Sequence, residues 1–537
     1  MSRKIFFLTL FILFTFFSCD LLFNSSSNNE PHTVSHSFSN LQNNDIFLIK
    51  INKGDLVVNA SDAGSVIRFT SRSVTEPVLD DEDFPLVLEI DLELQSSLEG
   101  IIRPGHPFID EFNANHPLPI RRSGFTSSPL ASPPLSSPPV RSVGDKKNFW
   151  VERYFTRGDW LHRPATLAAI GTHSNVWVMD GDTEIPKDRA ELVAQLFDII
   201  YPAATALLGY EHGGCPGGNG GLDGDTRVQI LIYDIITPTG AGAAGGYFWG
   251  KDFYPFINGI YYSNEAEMFY VHSSQVLENR HGWIPHLLIH EFQHLIHFSN
   301  KRWLTGQVLP TWYNEMMSMM AEDLVYGIIA SNPSSPITLD QVEAFNPIRL
   351  GTAIGFMDNY HREGITDWNL IGNASYTNAY IFGSYLMRNY GGAALLNRMS
   401  LNSTTGIPSI NQALAELRPG TDFLDTLYRF GEALVSRGSS HPANAAVFNR
   451  TVTSNVNGRS YTLRGYDLYS WNFALGPGGS YAPRVSARWI HNLTPIQLRP
   501  HSAVVHSDPA WINITGDITI MVAPPLNPNV EYYFIVR

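Results

Sequence analysis

The sequence predicts a multidomain α+β protein: a central domain, strands first and helices after, flanked by small N-terminal and C-terminal β domains. Three observations predict it. Short apolar runs with turn residues between them fill residues 45–95. The pattern turns helical from about 283 to 435. The last hundred residues return to β-like alternation with many prolines. A chain of 537 residues is also too long for one hydrophobic core.

The elements follow in order. Arg3 and Lys4 precede an almost wholly apolar stretch, residues 5–17, and then Ser18-Cys19. This has the parts of a secretory signal over residues 1–18, and it is too short to span a bilayer comfortably. A cysteine just after a small residue predicts a bacterial lipoprotein, cleaved before Cys19 and lipidated on its sulfur. The chain is therefore expected in the cell envelope or outside the cell, held to a membrane by an N-terminal lipid. No later stretch reads as a transmembrane helix. Residues 19–42 are rich in Ser and Asn and read as a flexible tether. Residues 43–102 carry the runs 46–51, 56–58, 66–69 and 86–94, expected to form a small β module. Residues 103–145 are rich in Pro and Ser and read as a semi-extended linker without helix.

A globular region over 146–435 follows. It has strand candidates at 174–179 and 227–233, a helix candidate at 186–208 opened by Pro186, and a strand pair within 258–272. Residues 436–537 read as a C-terminal β-sandwich, with runs at 518–522 and 532–536. The formal net charge of −14 argues against a nucleic-acid partner, which needs basic stripes. The only cysteine besides Cys19 is Cys215, in a Gly-rich loop near His212. With Cys19 lipidated, no disulfide can form within the chain.

The chemistry is concentrated in one segment, His290-Glu291-Phe292-Gln293-His294. In a helix, residues four apart lie on one face, so His290 and His294 can offer two imidazoles to one ion. Glu291 sits beside the first of them, placed to reach a water on the metal rather than the metal. The flanking Leu287, Leu288, Ile289, Phe292, Leu295 and Ile296 make the helix a buried one, where unpartnered His and Glu would be expensive. Zinc needs a third protein ligand and, at a catalytic site, an open fourth position. Glu315 is the candidate, on a second helix after a loop at 300–310. Glu322 is its competitor, or a residue that orients a ligand; its neighbour Asp323 suggests a wetter place. His286 reads as a residue of the first helical turn, and His297 as a polar surface residue near the helix end.

The segment 290–294 together with Trp312-Tyr313-Asn314-Glu315 resembles the gluzincin clan of metallopeptidases, and specifically the hyicolysin family. The stretch from Gly246-Tyr247-Phe248 to Ser263-Asn264 is similar too, and the likeness covers roughly 150–435. The resemblance implies a zinc metallopeptidase with His290, His294 and Glu315 as ligands and Glu291 as base, acting on protein or peptide substrates. It implies a mixed sheet whose edge strand, within 245–272, lies along the cleft and takes substrate as an added strand. Likeness to the clan's aminopeptidase branch carries an oxyanion-stabilising role to Tyr376, with Tyr380 as alternative. No Gly-Ala-Met-Glu-Asn motif is present, so an endopeptidase is expected. Two departures concern the surroundings of the ligands: Met316 follows the ligand glutamate, and Met319 stands where some relatives have an acidic residue. They leave open a second reading, an inactive lipoprotein that keeps zinc as a staple and binds partners.

Asn219, Asp223 and Asp225 crowd a glycine-rich loop and are candidate oxygen ligands for calcium. The linker near 117–145 is also open to cleavage by composition, which would release the catalytic domain.

Overall fold

The computed structural model describes residues 33–71, 107–118, 139–152, 159–214, 218–235, 245–277, 281–343, 345, 363–368, 374–436, 444–468, 473–475, 479–481 and 496–537. The signal segment 1–18, Cys19, the run 86–94 and Cys215 lie outside the described residues. The architecture is mixed α+β.

The two chain ends build one β-sandwich. Strands β1 (Val34–Asn44), β2 (Ile46–Asn52) and β3 (Ser65–Ser71) come from the N-terminal part. Strands β14 (Ser502–His506), β15 (Ile514–Ala523) and β16 (Val530–Val536) come from the C-terminal part. They interleave in two three-stranded sheets, β1-β15-β3 and β14-β2-β16, all antiparallel. Ile46, Leu48, Trp511, Ile518, Ile520 and Val522 fill the space between the sheets. The expected separate β domains at 43–102 and 436–537 are corrected accordingly. Every residue of β2 is buried, so it needs a neighbour on each edge and cover on each face, which a short N-terminal module does not contain. The tether is corrected as well. From Val34 onward it is strand, with Phe38 against Phe534 at 5.4 Å and His36 Nε2 3.0 Å from the Tyr532 hydroxyl. Its serines lie on the alternate positions, which hid the period-two pattern.

The linker holds a helix. α1 (Pro107–Asn115) has Ile109, Phe112 and Asn113 on the face it lays against the globular region, which offsets the ordering cost of so short a helix. The Pro- and Ser-rich composition that argued against helix belongs to the residues after it.

The central sheet has six strands in the order β4-β5-β6-β7-β9-β8. These are β4 (Lys146–Glu152), β5 (Trp160–Ile170), β6 (Ser174–Met179), β7 (Val228–Tyr233), β8 (Gly246–Tyr247) and β9 (Met268–His272). β6, β7 and β9 run parallel, and β8 closes the edge antiparallel to β9. The partner of β9 is therefore β8, not a strand at 258–262; Ile257 and Tyr261 make only an isolated bridge. Helix α2 (Lys187–Leu208) covers one face of the sheet. Among the described residues it alone is long and apolar enough to cross a membrane, which corrects the expectation of no such stretch. Twelve of its residues are buried in the core, the ordinary reason for an apolar helix in a packed domain.

Helices follow as expected: α3 (Ile284–His297), α4 (Thr311–Glu322), α5 (Ala374–Tyr390), α6 (Ala393–Leu401), α7 (Gly406–Leu417) and α8 (Phe423–Leu434). Two short hairpins come next, β10 (Val452–Val456) with β11 (Arg459–Leu463), and β12 (Phe473–Leu475) with β13 (Gly479–Tyr481). Phe47, Ile49 and Ile51, on the outer face of β2, join the same core as α2, α3 and α8.

Candidate metal centre

Helix α3 is buried along its whole length. Pro285 suits its first turn, where no intrahelical N–H bond is lost. A π-helical turn over Phe298–Trp303 continues it, so His297 is not at an exposed end. That corrects its assignment to the surface. Its Nδ1 is 2.8 Å from the Asn314 side-chain oxygen, and burial drives its pKa down to about 3. It ties α3 to α4 as a neutral donor. His286 is buried in the first turn as expected, its ring stacked on Trp283 at 6.1 Å.

α4 packs back on α3 and brings Glu315 to the two histidines. One ligand atom each from His290, His294 and Glu315 lie within 4.8 Å of one another. The Nε2 atoms of His290 and His294 are 3.1 Å apart; Glu315 Oε2 is 3.3 Å from the first and Oε1 is 3.4 Å from the second. All three residues are buried. Burial pushes the Glu315 carboxyl up, but the two imidazoles beside it outweigh this and hold it below the usual range. Glu315 Oε2 is nonetheless buried without a hydrogen-bond partner. Lone pairs of two imidazoles and a carboxylate thus face one point, which a cation reconciles; two His and one Glu are a zinc donor set. Among the described residues no other three His, Cys, Asp or Glu converge in this way.

The Glu315–Glu322 alternative resolves by position. Glu322 lies two turns further along the same face of α4 and accepts a hydrogen bond from His290 Nδ1 at 2.6 Å. That bond leaves the Nε2 lone pair directed at the cluster. His294 Nδ1 is 3.2 Å from Ser318 Oγ, which in turn donates to Gln293. Met316 and Met319 are both buried, and Met316 faces Gly383 of α5. Asp323 is not in a wet place: it is buried and pairs with Arg388 at 2.5 Å (Nη1) and 3.1 Å (Nη2).

Glu291 is buried, and its Cγ would lie 3.4 Å from a Cβ placed on Gly246. It therefore stands between the cluster and β8. Tyr376 occupies the first turn of α5, buried, edge-on to Trp368 at 4.9 Å. Tyr380 is fully buried among Asp323, Tyr466 and Arg388, which removes it from the cluster. The three calcium candidates carry hydrogen bonds within and around their loop. Asp225 accepts from Arg141 and Asn175, Asn219 from the Gly221 N–H, and Asp223 from the Asp225 N–H.

One residue at this site was missed. Asp110 of α1 has Oδ2 buried without a hydrogen-bond partner. Burial, then the charges of Glu315 and Glu291, push its carboxyl well above the ordinary range. The signal for it was the short amphipathic run 107–115 between two prolines, masked by the surrounding linker composition.

A buried helix with histidines one turn apart, a carboxylate from the next helix and a second glutamate facing the sheet edge define a metallopeptidase. Residues 156–467, more than half of the chain, match the family model of peptidase M30. The chain belongs to that family, the hyicolysin family that its motifs resemble. No curated protein matches it.

Proposed function

We propose that the chain is an exported, membrane-tethered, zinc-dependent endopeptidase in which His290, His294 and Glu315 hold the metal and Glu291 is the general base. The observation that carries this is the convergence of those three donors, with Glu291 between them and the edge strand. Zinc, when bound, polarises the scissile carbonyl and acidifies a water. Glu291 takes the proton of that nucleophile on its carboxylate and returns it to the leaving amine. Tyr376 donates its hydroxyl proton in a hydrogen bond to the developing oxyanion. The outer edge of β8 receives the substrate backbone as an added strand. Export and the lipid tether rest on the basic, apolar and Ser18-Cys19 parts of the N-terminus.

The test compares metal content and casein cleavage for the mature chain and Glu291→Gln. About one zinc is expected in each, with cleavage reduced by on the order of a hundredfold or more in the variant. A fully active Glu291→Gln protein would remove Glu291 from the mechanism.

A further inference from the structure

The reaction above makes no use of α1, yet α1 lies on the cleft. The Asn113 side-chain amide donates to the Phe248 carbonyl at 3.0 Å and accepts from the Gly250 N–H at 2.7 Å. A carbonyl and an N–H two residues apart are the pair by which a sheet edge takes an added strand. Residues 248–249 follow β8, an edge strand of the six, with Trp249 extended, and Gly250 opens a 3-10 turn over Gly250–Phe253. One buried asparagine amide therefore stands in for a peptide unit at the place where substrate backbone belongs. Further contacts hold the helix there. The Ala114 carbonyl accepts from the Leu309 N–H at 3.0 Å, and the His116 carbonyl accepts from Arg302 Nη2 at 2.6 Å. Ile109 is buried with Tyr247 and Trp249, and α1 also touches α4, which carries Glu315.

Asp110 lies one turn before Asn113, on the same side of α1. Its Oδ2 is buried with no hydrogen-bond partner, and the carboxylates nearest in effect are Glu315 and Glu291. Beside α1 is a cavity of about 500 Å³, one wall of which is Glu111, Phe112, Asn115, His116 and Pro117.

We propose that α1 is a built-in inhibitor, with Asn113 latched beside the sheet edge where substrate backbone would lie and Asp110 one turn earlier on the same side of the helix; this rests on the metallopeptidase reading of the His290–His294–Glu315 cluster. Activation is the withdrawal of α1 from the chain that follows β8.

The probe is a peptide hydroxamate, titrated into the zinc-loaded mature chain and into Asp110→Asn and Asn113→Ala. A closed form that outnumbers the open one by about ten to one weakens the apparent affinity about tenfold. Both variants are expected to bind the probe about tenfold tighter or more. The cobalt-substituted protein gives a readout free of turnover: its visible spectrum is expected to differ between the parent and Asp110→Asn. A narrow-specificity protease site placed within 127–137 leaves α1 unaltered, and cutting it is expected to tighten hydroxamate binding likewise. Equal affinity in the parent, both variants and the cut protein, with one cobalt spectrum throughout, overturns the inhibitor while leaving the metallopeptidase reading intact. Failure of every form to bind zinc or the hydroxamate overturns both.

Discussion

Replacing Glu322 with Gln separates the orientation of the metal cluster from its composition, because all three donors stay in place. His290 Nδ1 gives its proton to Glu322 Oε1 across 2.6 Å, and Glu322 is fully buried. A charge-assisted bond in such a site is worth about 1.5–3 kcal/mol. Glutamine keeps an acceptor oxygen for the ring N–H but removes the charge that makes the imidazole a better donor to a metal. The loss in zinc binding should be about tenfold to a hundredfold, or about 1.4–2.7 kcal/mol. Competition against a chromophoric chelator at neutral pH measures it. Glu322→Ala should go further and lower the melting temperature of the apoprotein, since the Nδ1 proton then has no acceptor in a dry pocket. A zinc affinity within twofold of the parent for Glu322→Gln would refute the orienting role.

Three further outcomes follow from the packing. Arg388→Met strands the Asp323 carboxylate in the core and should destabilise by about 3–5 kcal/mol, read from urea midpoints; replacing both partners with apolar residues should recover much of it. Gly431→Ala places a methyl about 2.4 Å from the Tyr533 hydroxyl and 2.5 Å from Ile49 Cγ2, so α8 must part from the sandwich at a cost of about 1–3 kcal/mol. Burial raises the Glu211 carboxyl to about 7 from an ordinary value of 4.5, against a hydrogen bond from Tyr201. The folded state then holds the proton more tightly than the unfolded one. Its contribution is full below about 4.5 and is lost as pH rises through about 7, at up to about 1.4 kcal/mol per unit. Glu211→Gln should flatten the stability profile across that window, and an unchanged slope between pH 5 and 8 would count against it.

The metal cluster was legible because its signal is local. His290 and His294 are one helical turn apart whatever surrounds them, and the apolar neighbours Leu287, Ile289 and Phe292 announced a buried helix. Glu315 needed only the next helix to pack back. The finer placement of Glu322 was legible as a possibility, since seven residues keep it on the same face of α4, but not which histidine nitrogen it meets. What was not legible is pairing between residues distant in the chain. The apolar run 46–51 marked a strand, and nothing in it says that its neighbours are Ser502–His506 and Val530–Val536. Propensity failed where tertiary contacts outweigh it. The run 107–115 is too short to be helical alone, and its order comes from Asn113 on Phe248 and Gly250. The same bonds explain why its role could not be read beforehand: Asp110 acquires meaning only from carboxylates about two hundred residues away, brought to it by a helix that the composition of its flanks concealed.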